Sequence, residues 1–514
     1  MEDEPLDEIW RLIGHGELNA AATRAQWLLE LPGSPERRAE IESAFGLMLQ
    51  RVGRIAESRD RFESAAELTA QVPKVQASYI ADAAGSRFLL GDLAGAAAQA
   101  AHARLLGDRH ANRFAACEAI NTEVAVALSE GRTTDALRLA KQGVSLRAAE
   151  RESTGGGPMS HLYLALTLID LDRFAEADEA FEEGIAHSRA DASFAQLTWY
   201  LGFRSLARFL NGRWPEAMAD AVGSIDAAER TGTLIGRPIG MAVQAMVQAA
   251  RGNRDAALAH VAPTEGALFA VGLAGEDWGS LARSAAAASV TDSHTALVEG
   301  WLHTRRTPYF LSWRSLAPML VRTSLHIGDP TIVASVVEAC RAGAELAAGV
   351  PSAQGAALLC RALADDDPTA AEEALEHYRR ADRPFALAQA GLDAARLHLR
   401  AGAPGHATRS LREAIDIFDS LQATPWLARA GQLLVRAAPS APPPPAAAPP
   451  AGWSSLTPTE QRVAKLLASG LTNPAIAAEL YVSPRTIQTH ASNIYAKLGI
   501  TSRVQLAGMM LPTL

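Results

Sequence analysis

Near the C-terminus, Gln488, Thr489, Ser492 and Asn493 stand at i, i+1, i+4 and i+5, a spacing that gathers side chains on one face of a helix. Each carries a hydrogen-bonding group on a short or medium stem, the chemistry that reads base edges in a DNA major groove. Around them lie Arg485, Thr486, Lys497 and Arg503, whose cationic or hydroxyl groups suit phosphate oxygens. Phosphate contacts supply affinity and register, whereas base contacts supply sequence discrimination. The first four are therefore candidate base-reading residues and the second four candidate phosphate residues.

A reading face of this kind needs a small, well-braced scaffold, and residues 456–510 are predicted to form four helices. Thr457-Pro458-Thr459-Glu460 has the form of a capping box with proline at the first helical position. The helix behind it offers Val463, Leu466 and Leu467 to a core and stops near Gly470. Thr472 caps a second helix with Ile476, Ala477 and Leu480 inside, and a tight turn through Tyr481-Val482 follows. Ser483-Pro484 opens a third, which buries Ile487, Ile494 and Leu498 and ends at Gly499; Ser502 starts the fourth. Short helix, tight turn, longer helix with a polar outer stripe is a helix-turn-helix.

With those residues in place, LTPTEQRVAKLLASGLTNPAIAAELYVSPRTIQTHASNIYAKLGITSR resembles the DNA-binding domain of LuxR-type transcription regulators. The resemblance rests on many matches at fixed spacing, among them Leu456, Glu460, Gly470, Asn473, Ser483, Thr486, His490, Ile494, Lys497, Leu498, Gly499 and Arg503. It implies double-stranded DNA as partner, major-groove binding by the third helix and dimerisation through the fourth. Three positions depart from the family, which commonly has Arg at Thr459, Glu at Arg462 and a basic residue at Gln488. The last departure removes a candidate phosphate or guanine contact, so lower affinity and altered target preference are expected. His490 reads as a structural residue.

The net charge of the whole chain, −9 over 514 residues, argues against nucleic acid until it is divided. Between 453 and 514 five basic residues face two acidic ones, a net of +3, which leaves −12 for the remainder. The stretch 439–452, PSAPPPPAAAPPAG, lacks the backbone donors of a packed element and reads as a semi-stiff tether. The predicted organisation is 1–438 as a sensor or interaction domain, 439–452 as linker and 453–514 as DNA-binding domain.

The N-terminal part is periodic. A turn-forming residue, with a small residue five positions later, recurs at Gly16, Gly53, Gly91, Gly131, Asp172, Gly212, Gly252, Thr291, Gly328, Asp366 and Gly402. Successive spacings run from 36 to 41 residues. Glycine in the left-handed conformation ends one helix, and alanine lets the next approach closely. Sustained period-2 alternation is lacking, so the predicted fold is all-α, about eleven hairpins stacked into a superhelix. The pattern resembles the tetratricopeptide repeat, with a period longer than its roughly 34 residues. Joined to the tail, it resembles the large LuxR-type regulators in which a superhelix precedes the DNA-binding domain. The maltose-activator type of that group also carries an ATPase module, for which this sequence offers no motif.

The least ordinary stretch of the superhelix contains Trp301, His303, Arg305, Arg306, Tyr309 and Trp313, aromatic and cationic groups able to stack on a ring and clamp an anion. It is a candidate effector or partner site; the competing reading packs Trp301, Phe310 and Trp313 into the hairpin. Trp199-Tyr200 and Trp214 read as repeat core.

Other chemistry finds little support. None of the four lysines follows a glycine, so a phosphate-binding loop is not read. The thirteen histidines are scattered without metal-ligand spacing, and neither cofactor, metal nor enzymatic activity is expected. Cys117, Cys340 and Cys360 do not suggest a disulfide framework, and together with the lack of a targeting or membrane segment they point to the cytoplasm. Two functions remain: a dimeric transcription regulator whose superhelix senses a small-molecule or protein effector, or an interaction scaffold whose tail no longer binds DNA.

Overall fold

The computed structural model describes residues 4–14, 16–148, 159–191, 193–261, 275–304, 310–437 and 452–510. Every regular element among them is a helix. Residues divide into two compact units, Met1–Ala437 and Ala438–Leu514. Most of the proline-rich stretch, 439–451, lies outside the described residues.

Among the described residues the first unit is eleven helical hairpins followed by a single helix, Thr424–Ala437. At ten of the eleven turn positions read from the sequence, φ lies between +55° and +90°. Eight of these are glycine, for which the left-handed region costs little; Asp172 and Asp366 adopt it with a side chain. Thr291 is the exception and corrects the series: it lies within the helix Val290–Thr304. That hairpin turns at 287–289 instead, where Ser289 Oγ accepts a hydrogen bond from the Asp292 amide at 3.1 Å. A serine cap replaces the left-handed glycine there.

Five positions after each turn the second helix meets the first. Ala21, Ala96, Ala136, Ala177, Ala217, Ala257, Ala371 and Ala407 are fully buried at those contacts. The alanine-rich composition follows from this, since helix backbones at that distance leave room for little more than a methyl group. Proline at the first turn of helices such as Pro35–Arg51, Pro73–Leu89 and Pro384–Arg400 marks the start of many of them.

Contacts also run between successive turns of the superhelix. Arg383 Nε pairs with Asp172 Oδ1 at 2.7 Å, and the Ser352 amide donates to Asp172 Oδ2 at 2.7 Å. Arg314 Nη2 lies 2.9 Å from Asp170 Oδ1 and its Nη1 donates to the Asp170 carbonyl at 2.6 Å. Elsewhere the Leu234 amide donates to the Arg51 carbonyl at 2.7 Å, and Asn211 Nδ2 to Asp382 Oδ2 at 2.7 Å. Trp214, fully buried, sets its ring edge-on to Phe385 at 5.1 Å, and Phe385 meets Trp426 at 5.7 Å. Apart from Phe385 and Trp426, which stand on neighbouring elements, these partners lie about four to six hairpins apart in sequence. An ideal solenoid touches only its nearest neighbours; here each turn also rests on the next, which stiffens the array.

Candidate nucleic-acid interface

In the second unit the local signals place four helices: Pro458–Ala468, Asn473–Leu480, Pro484–Leu498 and Arg503–Met510. The capping box forms in full, with the Thr457 amide donating to Glu460 Oε2 at 2.8 Å and the Glu460 amide to Thr457 Oγ1 at 3.3 Å. Thr472 and Ser483 cap the next two helices through the amides of Ala475 and Thr486. Between them Tyr481 takes φ +54° and makes the tight turn. Val463, Ala464, Leu467, Ile476, Ala477, Ile487, Ala491, Ile494, Leu498 and Leu506 are buried together in one small core. Leu466 and Leu480 pack at its edge.

This core fixes which way the third helix faces. With Ile487, Ala491, Ile494 and Leu498 turned inward, Gln488, Thr489, Ser492 and Asn493 are exposed on its other side. Arg485 and Thr486 are exposed at its N-terminal end. Asn473 Nδ2 donates to Gln488 Oε1 at 2.7 Å, so a residue of the second helix orients the Gln488 carboxamide and leaves its NH2 group outward. Thr489 Oγ1 donates to the Arg485 carbonyl at 3.1 Å, and Thr486 shares a hydroxyl contact of 2.8 Å with Ser483.

Two of the three cations among the candidate phosphate residues already hold internal partners. Lys497 Nζ lies 2.6 Å from Glu460 Oε2, joining the end of the third helix to the start of the first. The lysine ammonium and the Thr457 amide together hold the Glu460 carboxyl down to a pKa of about 2. Arg503 Nε donates to the Leu467 carbonyl at 2.8 Å and its Nη2 to that of Leu471, a cation placed at the C-terminal end of the first helix. The sequence alone misses the second task of Glu460, because its partner lies 37 residues away.

In the superhelix, Trp301 packs at the core's edge, while Trp313 is 2% exposed and belongs to the core itself. His303 Nδ1 approaches Glu276 at 3.3 Å. Arg305, Arg306 and Tyr309 lie outside the described residues. Trp214 and Tyr200 are core residues, and Trp199 lies half-buried beside it. The structure also gathers side chains that sequence spacing keeps apart. Glu372, His398 and His406 bring potential ligand atoms within 4.8 Å of one another, and the 2.8 Å hydrogen bond of His398 to Glu372 accounts for the closest approach. Among the described residues no helix is long and apolar enough to cross a membrane.

A helix-turn-helix with an exposed polar third-helix face defines the class, and comparison with known proteins makes it specific. Residues 454–510 match the family model described as bacterial regulatory proteins, luxR family, so the second unit carries a LuxR-type DNA-binding domain. Over 55 residues, 11% of this chain, the sequence is 62% identical to the putative HTH-type transcriptional regulator Mb0914c of Mycobacterium bovis. It is 42% identical over 74 residues, 14% of this chain, to the probable transcriptional regulatory protein NarL of Mycobacterium tuberculosis. The matched stretches span only 6% and 29% of those proteins. Among solved structures, a Rap protein complexed with competence and sporulation factor aligns over 72% of this chain and 98% of its own, with TM-score 0.40 and 12% identity. The Cut9-Hcn1 hetero-tetramer of APC/C aligns over 84% and 96%, with TM-score 0.28 and 14% identity.

Proposed function

We propose that the protein is a sequence-specific DNA-binding transcription regulator whose superhelix senses an effector or partner. The observation that carries this is the third-helix face: four adjacent hydrogen-bonding side chains, exposed together and backed by a buried core, inside a LuxR-type domain. Gln488, Thr489, Ser492 and Asn493 read bases, and Arg485 with Thr486 holds phosphate. Because the Gln488 oxygen is occupied by Asn473, its NH2 group faces acceptor edges such as guanine O6 and N7 or thymine O4. Lys497 and Arg503 support phosphate binding chiefly by bracing the domain. The protein works as a homodimer on a two-fold site, joined through the fourth helix, where Met509 is an exposed apolar side chain.

Selection of bound sequences from random duplexes, followed by mobility shift on the selected site, tests this reading. A Q488A variant is expected to lose about 1–3 kcal/mol of discrimination at one base pair per half-site. Binding of wild type that is equally strong to every duplex would refute base reading and favour the scaffold. A monomer on the selected site would refute dimerisation.

A further inference from the structure

The first helices of five successive hairpins, from Pro35–Arg51 to Phe194–Leu210, line one cavity of about 470 Å³ on the inside of the superhelix. That size suits a small molecule rather than a folded partner. Its lining is divided in character. Phe114, Tyr163, Trp199 and Phe203 present rings, with Trp199 and Phe203 nearly parallel at 6.1 Å. Asp82 and Glu118, on consecutive first helices, present carboxyls.

Asp82 is the unusual member. Its carboxyl has neither a hydrogen bond nor an ion pair among the described residues, although burial and the neighbouring Glu118 push its pKa well above the usual carboxylate range. Glu118 is itself raised by burial and receives one long bond, 3.4 Å, from Asn121 Nδ2. Of the cations nearby, Arg51 donates to the Ile13 carbonyl at 3.0 Å, and Arg147 pairs with Asp191 at 3.1 Å while its charge offsets part of the upward shift of Glu118. A carboxyl left without a partner in a ring-lined cavity costs free energy that a ligand could recover.

We infer that this cavity is the effector site and that its ligand is a small organic cation, an amine or ammonium group on an apolar or aromatic body. The charge sits between Asp82 and Glu118 and against the ring faces; the body fills the space between Phe114 and Trp199. An anion would meet two carboxyls, and a neutral molecule could offer Asp82 a hydrogen bond but not balance its charge. Carboxylate plus aromatic face is the pairing that favours a cation over both. This rests on the reading of the superhelix as a sensor and names the site and ligand class for it.

The test uses the full chain and three probes of similar size: phenethylamine, 2-phenylethanol and 3-phenylpropionate. Trp10 and Trp199 both line the cavity, so intrinsic fluorescence reports occupancy, with calorimetry as a second measure. Phenethylamine is expected to bind at least about tenfold more tightly than either other probe. D82N should abolish that preference while leaving the thermal midpoint unchanged or raised, since it removes a half-buried acid that has no partner among the described residues. E118Q should weaken it by a smaller factor and serves as the second variant. Equal binding of all three probes, no binding of the amine at millimolar concentration, or an unchanged preference in D82N with E118Q would each overturn the proposal. DNA affinity measured with and without the amine separates the two levels. Amine binding that leaves DNA affinity unaltered would refute sensing through this cavity but not the site. Unaltered DNA binding together with failure of the amine to bind would refute the site alone.

Discussion

Arg485 and Lys497 are both cations of the third helix, yet the structure gives them different surroundings, and salt dependence separates their roles. Arg485 is exposed at the N-terminal end, whereas Lys497 is held 2.6 Å from a nearly buried carboxylate. Each phosphate neutralised on duplex DNA contributes a slope of about −0.9 to log K against log salt. R485A should therefore make the slope shallower by about 0.9 per protomer. Relative to binding extrapolated to about 1 M salt, that single contact is worth about 15-fold at 50 mM and about fourfold at 200 mM. K497Q removes a charge whose field Glu460 largely cancels, so the slope should stay within error while the thermal midpoint of the domain falls. Fluorescence anisotropy of the full chain on one labelled duplex, titrated at 50, 100 and 200 mM salt, measures both variants under identical conditions. An unchanged slope in R485A refutes the phosphate assignment. A full-unit change in K497Q without loss of stability refutes the bracing role and restores Lys497 as a direct contact.

Three further outcomes are expected. R383M strands the buried Asp172 carboxylate and should destabilise the superhelix by about 3–5 kcal/mol, read as a lower urea midpoint; adding D172N should recover part of the loss. The Glu460 carboxyl is held to a pKa of about 2, below its unfolded value of about 4.3, so its contribution is present above the unfolded value and is lost as pH falls from there towards 2. Circular dichroism between pH 5 and pH 2 should show an acid transition of the second unit that E460Q flattens. All three thiols are buried, and Cys340 is raised well above the usual range by its contact with Cys360 at 3.9 Å and by burial. A thiol-specific chromogenic reagent should therefore react with three cysteines after denaturation and none rapidly before it; fast labelling of the native chain would contradict the buried placement.

What was legible in the sequence follows from the range of the signal. Capping boxes, N1 prolines and left-handed turn residues act within about one helical turn, and those short-range marks were enough to give eleven hairpins and four tail helices. Thr291 breaks the series because a serine cap two residues earlier does the work of a glycine turn. Long-range pairing leaves no comparable mark. Asp172 looks like any turn aspartate, yet its carboxylate receives Arg383 and the Ser352 amide from helices 211 and 180 residues away. A glycine would serve the turn better, so the aspartate makes sense only once the next turn of the superhelix is in place. Lys497 and Arg503 show the same limit: a basic residue beside a reading helix suggests phosphate, and only the fold reveals the carboxylate and carbonyls that hold it. The cavity is the extreme case, because Asp82 and Glu118 stand 36 residues apart with no local motif around them and acquire meaning from five helices at once. Position along the chain thus suffices to propose the DNA-reading face, which is built from contiguous residues. The proposed effector cavity, assembled from residues spread over five hairpins, can be read only from the packing.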